Sequence, residues 1–150
     1  MADIVDKATR SRMMSGIRSG NTKPEIVIRK GLHRERFRFR LHQSGLPGKP
    51  DIVLPKYRAV ILVHGCFWHK HHCSFFKLPD TRTDFWLTKL NGNASRDTKN
   101  IENLIQGGWR VAIVWECAMR GRRKMETADL IETLADWLKG EENRIEVPKI

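Results

Sequence analysis

Apolar positions along this chain change period several times, and each change marks an element. Ile26, Ile28 and Leu32 follow a helix start at Thr22, with Pro24 in the first turn and Glu25 three residues after the threonine, and they predict a helix to about Glu35. Phe37, Phe39 and Leu41 then alternate with Arg36, Arg38 and Arg40, the period of a strand with one apolar and one basic face. A loop from His42 to Lys49, punctuated by Gly45, Pro47 and Gly48, leads to Pro50-Asp51 and a short apolar strand, Ile52 to Leu54. The chain turns near Pro55-Lys56 and returns as Arg58 to His64, a β-hairpin. A two-residue turn would set Asp51 opposite a residue near Val60, and a four-residue turn would set it nearer Leu62.

Beyond Gly65 the pattern is irregular as far as Thr83. A short helix, Thr83 to Leu90, carries Phe85 and Trp86, and a longer one, about Ala94 to Gln106, has Thr98, Ile101, Leu104 and Ile105 on one face and stops at Gly107-Gly108. Val111 to Trp115 reads as a buried strand. Strand, helix, strand predicts a right-handed crossover, hence parallel neighbours, which brings Cys117 towards Cys66 and Cys73. The last helix, Thr127 to Lys139, has Thr127 as its cap, Leu130, Ile131, Leu134, Trp137 and Leu138 at helical spacing, and Gly140 as its stop. Trp109, Trp115 and Trp137 are assigned to the core. The tail from Glu141 is expected to fray, and Asp6 to Arg18 is at most weakly helical.

At 150 residues the chain suits one α/β domain with one good core, and no apolar run approaches the roughly 18 residues of a membrane span. The N-terminus lacks the apolar stretch of a secretory signal, so a cytoplasmic location is expected. Charge changes the picture more. The net charge is +11, and Lys7 to Arg40 holds eleven Lys/Arg against Glu25 and Glu35, whereas Met125 to Ile150 holds three basic and seven acidic residues. A concentrated basic segment with no membrane signal points to nucleic acid through phosphate contacts, the alternative being a merely solvated basic face. An arm lying along DNA could use Met14 or Ile17 as an apolar wedge in the minor groove, or pack those residues on the body.

The candidate chemistry gathers in VILVHGCFWHKHHC, Val60 to Cys73, where a buried strand breaks at Gly65 into a Cys/His loop. Cys66, His71 and Cys73, joined by Cys117, are four ligands of the type that close a tetrahedral structural zinc site. The competing reading is three buried thiols. His69, between those ligands, could act as general base if a carboxylate orients its other nitrogen, with Asp97 as the candidate orienter. Asp51 is the candidate magnesium ligand, against a local capping role. Glu25 has a structural task in a capping box that competes with a role at a metal site. Phe67 and Trp68, beside Lys70 and in reach of Arg82, suit stacking on bases.

These motifs carry a resemblance. DKATRSRMM, PGKPD, VHGCFWHKHHC, TRTDFWLTKL and GWRVAIVWECAMRGR resemble the very short patch repair (Vsr) endonucleases, which nick DNA at T:G mismatches, from the start of the chain to about residue 140. The resemblance implies a restriction-endonuclease-like fold, a mixed β-sheet flanked by helices. It implies a basic DNA-contacting arm over 1–20, an endonuclease domain over 21–140 and a frayed tail over 141–150. By resemblance Asp51 binds magnesium with the main-chain carbonyl of Val63, His69 activates water, and His64, Glu25 and Asp97 complete the site. Cys66, His71, Cys73 and Cys117 would hold structural zinc. Phe67, Trp68 and Trp86 would intercalate beside the mismatch, with Arg12, Met14, Ile17, Lys70 and Arg82 as further DNA contacts. Val63 stands where the family often has Thr, a change that a backbone ligand survives. The restriction-type E-x-K triad is missing after Asp51, so the expected mechanism is histidine-assisted.

The expected activity is thus a magnesium-dependent, zinc-stabilised nick 5′ to the thymine of a T:G mismatch left by 5-methylcytosine deamination. The expected partner is mismatched duplex DNA, with a mismatch-repair protein as a candidate stimulator and a monomer as the working form. Two other readings are a zinc-stabilised DNA-binding module without catalysis and a restriction endonuclease of the same fold that cuts paired DNA.

Overall fold

The computed structural model describes residues 22–69, 71, 73, 76–121 and 124–148. Its first helix, α1 (Lys23–Arg34), begins where Thr22 Oγ1 accepts from the Glu25 amide, as the Thr-x-x-Glu pattern predicts. The carboxylate of Glu25 has a different setting from a surface cap: it is 1% exposed and bonds Arg29 and His42.

The strand expected from Phe37 to Leu41 shrinks to β1 (Arg40–Leu41). Arg36 has a left-handed backbone (φ 69°) and the Phe37 amide reaches back to Leu32 O, so Phe37 finishes the helix end and is buried there against Tyr57, while Leu41 is exposed. Strand β2 (Ile52–Leu54) and strand β3 (Ala59–His64) form the hairpin with a four-residue connection, Leu54 pairing with Ala59 and Ile52 with Ile61. That register selects the longer-turn alternative and sets Asp51 level with Leu62.

One helix, α2 (Thr83–Gln106), replaces the two expected. The reason is its apolar stripe: Trp86, Leu90, Ile101 and Leu104 are buried at spacings that stay in phase through Gly92, and a mid-helix glycine costs only about 1 kcal/mol. Strand β4 (Arg110–Trp115) pairs parallel to β3 in full register, from Ala59 with Arg110 to His64 with Trp115. Helix α3 (Thr127–Lys139) has Glu126, not Thr127, as its N-cap, with no side-chain cap bond.

The expected frayed tail is corrected as well: Arg144–Val147 forms β5, parallel to β4, with Val147 3% exposed. Arg110 fastens this end. Its guanidinium donates to Trp137 O, Leu138 O and Gly140 O at the carboxyl end of α3 and to Glu142 O in the connection to β5.

The sheet order is β1-β2-β3-β4-β5, antiparallel through β3 and parallel beyond it. Side chains alternate across each strand, so Ala59 and Ile61 meet α1 and α3 while Val60, Leu62 and Ile113 meet Ile101 and Leu104 of α2. Helices therefore cover both faces. Gly31 lets α1 lie close against α3: a Cβ there would stand 2.4 Å from the Ile131 side chain. Trp115 and Trp137 are core residues, as expected, and Trp109 is only partly buried. Among the described residues no helix is long and apolar enough to cross a membrane.

Candidate active site and metal centre

Three groups of metal-capable side chains meet at the carboxyl end of β3. The parallel pairing of β3 with β4 assembles the cysteine group among them, because two parallel strands in register send their following loops out on the same side.

The first group is Cys66, His71, Cys73 and Cys117, whose ligand atoms all lie within 4.8 Å of one another. The loop winds tightly, with the His71 amide on Cys66 O at 2.8 Å and the Cys73 amide on His71 O at 2.9 Å. Cys117 Sγ stands 3.6 Å from His71 Nδ1, and the His71 ring stacks on Trp115 with centroids 4.0 Å apart. Glu116 Oε1 accepts from the Cys66 amide at 3.2 Å, so a backbone-to-side-chain bond ties the loop after β3 to the one after β4. Burial pushes the Cys66 and Cys117 thiols up from their ordinary values. Three crowded thiols and an imidazole fit a divalent ion, which would deprotonate the thiols and bind their charge. No disulfide competes, since all three cysteines are free.

The second group is His64, His69 and Asp97. His69 Nδ1 lies 2.5 Å from Oδ2 of Asp97, the carboxylate that the sequence offered as a candidate orienter, which projects from the interior of α2 and not from a helix start. His64 stacks under His69 with centroids 3.8 Å apart and planes within 5°. Burial, and then the neighbouring His69, push His64 down to about 3, so it is neutral near pH 7. A cavity of about 180 Å³ opens over this group, lined also by Trp115, Arg144 and Glu146.

Glu25, His42 and Asp51 make the third. The Val63 amide donates to Asp51 Oδ2 at 2.8 Å. A strand residue directs its amide and its carbonyl to the same neighbouring strand, so the Val63 carbonyl is on the Asp51 side too. His42 Nε2 is 2.8 Å from Glu25 Oε2, and Arg29 Nη1 is 3.2 Å from the same oxygen. Burial pushes Asp51 up to about 7. The Val63 amide opposes that shift, and the Glu25 carboxylate adds to it. Asp51 and His69 thus fall in two groups, linked by the successive residues Val63 and His64 of β3.

The aromatic residues form one network. Phe67 and Trp68 are half-buried, 5.2 Å apart, and each stands about 6 Å from Trp86 (5.7 and 6.0 Å). Asn93 Nδ2 donates to Trp68 O and ties the loop to α2. Trp86, 5% exposed, stands behind the other two rings, because its side lies on the buried stripe of α2. Phe85, 46% exposed with Arg82 over its ring at 4.5 Å, is the outward aromatic of that helix. Arg12, Met14, Ile17 and Lys70 lie outside the described residues.

Sequence reasoning missed His42, Glu116 and Phe85. Glu116 and Phe85 sit beside residues that were singled out. His42 carried no local signal, since its contact with Glu25 spans 17 positions.

Comparison with known proteins identifies the family of the chain. A family model described as "DNA mismatch endonuclease Vsr" matches residues 2–75. The chain is 50% identical over 141 residues to the DNA mismatch endonuclease Vsr of Escherichia coli (strain K12), covering 94% of this chain and 90% of that one. It is 46% identical over 119 residues to the type II nicking enzyme V.XorIIP of Xanthomonas oryzae pv. oryzae, covering 79% and 88%. A third relative, the type II nicking enzyme V.NaeI of Lentzea aerocolonigenes, is 36% identical over 115 residues, 73% of this chain and 68% of that one. The mixed sheet with helices on both faces fits the restriction-endonuclease-like fold of such enzymes. Fold, clustered site and sequence identity lead to one conclusion: the chain belongs to the Vsr family of DNA mismatch endonucleases.

Proposed function

We propose that this protein hydrolyses one strand of duplex DNA on the 5′ side of the thymine in a T:G mismatch, as the first step in repairing deaminated 5-methylcytosine. The observation that carries the chemistry is the 2.5 Å contact between His69 Nδ1 and Asp97. With its Nδ1 proton held by that carboxylate, His69 offers the Nε2 lone pair to a water and takes the water's proton as it attacks phosphorus. His64, neutral and stacked beneath, keeps the ring in plane without adding a competing charge.

Asp51 and the Val63 carbonyl would hold magnesium, with Glu25 beside them. Their oxygen donors are the hard type this ion takes, and a bound magnesium ion would neutralise charge growing on the phosphate. The Cys66, His71, Cys73 and Cys117 set would hold zinc with no open position, a structural role that fixes the loop bearing His69. Phe67 and Trp68, backed by Trp86, support stacking beside the mismatch, where a mispaired step costs less to unstack than a paired one. The basic residues before β1 support phosphate contact. A monomer suffices for cutting one strand.

End-labelled T:G and T:A duplexes incubated with magnesium test this reading. The expected result is a single nick in the T:G duplex, with Asp51→Ala and His69→Ala binding the duplex but slowed by at least about 100-fold. Full activity in either variant would remove the mechanism. Equal cutting of both strands in matched DNA would favour a restriction enzyme, and binding without a nick would favour a DNA-binding module.

A further inference from the structure

His42, in the loop between β1 and β2, is a member of the carboxylate group that the reaction above leaves without a task. Its backbone is left-handed (φ 45°), a conformation that disfavours a non-glycine residue and that gathers at functional sites. Two bonds hold it there. Its amide donates to Asp51 O at 3.1 Å, and its ring Nε2 meets Glu25 Oε2 at 2.8 Å. The ligand atoms of Glu25, His42 and Asp51 lie within 4.8 Å of one another, so one ion could touch all three. Glu25 is 1% exposed and faces the half-buried Asp51, and two carboxylates so placed repel unless a proton or a cation lies between them.

We propose that His42 is a ligand of the cation held at Asp51 and Glu25, and that its imidazole makes this centre prefer manganese(II) to magnesium. The inference rests on reading Asp51 as the cation site. An all-oxygen set suits magnesium, whereas imidazole suits first-row transition ions. Cation entry would break the Glu25–His42 hydrogen bond: the Nε2 proton that Glu25 accepts leaves to solvent, Nδ1 carries the ring's remaining proton, and the Nε2 lone pair turns to the ion. Arg29, 3.2 Å from Glu25, stays as the second partner of that carboxylate.

The test uses zinc-loaded protein with Mn²⁺ alone. Pulsed electron paramagnetic resonance on bound Mn²⁺ detects a directly ligated imidazole nitrogen, and Mg²⁺ competition gives the relative affinities. His42→Gln keeps an N–H donor for Glu25 but loses the ring nitrogen, and its zinc content and melting temperature serve as the folding control. The expected result is a nitrogen coupling in the wild type that disappears in His42→Gln, with Mn²⁺ affinity down about tenfold and Mg²⁺ affinity changed far less. A wild-type spectrum without that coupling, a His42→Gln spectrum that retains it, or no Mn²⁺ binding at millimolar concentration overturns the proposal. Asp51→Asn separates the two levels. If it abolishes cation binding while the wild type shows no nitrogen coupling, the Asp51 reading stands and His42 falls; if it binds like the wild type, both fall.

Discussion

With Asp51 as the proposed cation ligand, a proton and a cation compete for its carboxylate. Burial pushes this group up to about 7, so the cation-free protein carries it neutral below that pH, and a divalent ion must displace the proton to bind. Magnesium affinity is therefore expected to fall about tenfold per pH unit below 7, and a higher magnesium concentration should move the acid limb of the nicking rate to lower pH. Rate profiles at two magnesium concentrations check this, and a limb that does not move would show that no such proton is displaced. The stability of the cation-free fold has the matching sign. The folded value lies above the unfolded one of 3.8, so stability is fully present below that pH and declines as pH rises towards 7.

Packing between elements leaves less room for change than the site does. Gly31→Ala would set a methyl 2.4 Å from the Ile131 side chain between α1 and α3, both ends of which are buried. Destabilisation by about 1–3 kcal/mol is expected in urea titration, with the m-value unchanged. A neutral result would mean that Ile131 moves aside freely. Elements defined by their own residues were legible in the sequence: β3 by its β-branched run, the hairpin by its length, α1 and α3 by spacing. Elements defined by distant partners were not. β5 is four residues, Arg-Ile-Glu-Val, that become a strand because β4 offers an open edge and Arg110 holds the approach. Asp97 was legible only as a weak suggestion, since nothing local shows that α2 runs unbroken and turns this carboxylate towards His69. Cys117 was legible because the crossover rule links distant residues without knowledge of their contacts.

Over the whole molecule, charge and metal act together. The groove between α3 and β5, about 510 Å³, is lined by Asp136, Glu141, Glu142 and Glu146, whereas Arg29, Lys30, His33 and Arg34 gather on α1. Such a dipolar surface disfavours DNA at the acidic end and orients its approach. An ion at the cysteines would reach wider than its four ligands, because the loop it would close carries His69, Phe67 and Trp68. Stripping that ion with a strong chelator is expected to lower the melting temperature by more than roughly 10 °C and to abolish nicking that excess magnesium does not restore. Calorimetry and nicking on the stripped protein check both, and retained activity would show that the loop holds its shape unaided.

Because β3 and β4 run side by side in full register, the residues that fix His69 come from places far apart in the chain: His64 beneath it, Asp97 on α2 and Cys117 after β4. A random screen for inactive variants would then return hits scattered along the gene, near Asp51, from His64 to Cys73, and at Asp97 and Cys117. Plotted on the folded protein, the same hits would collapse into a single corner.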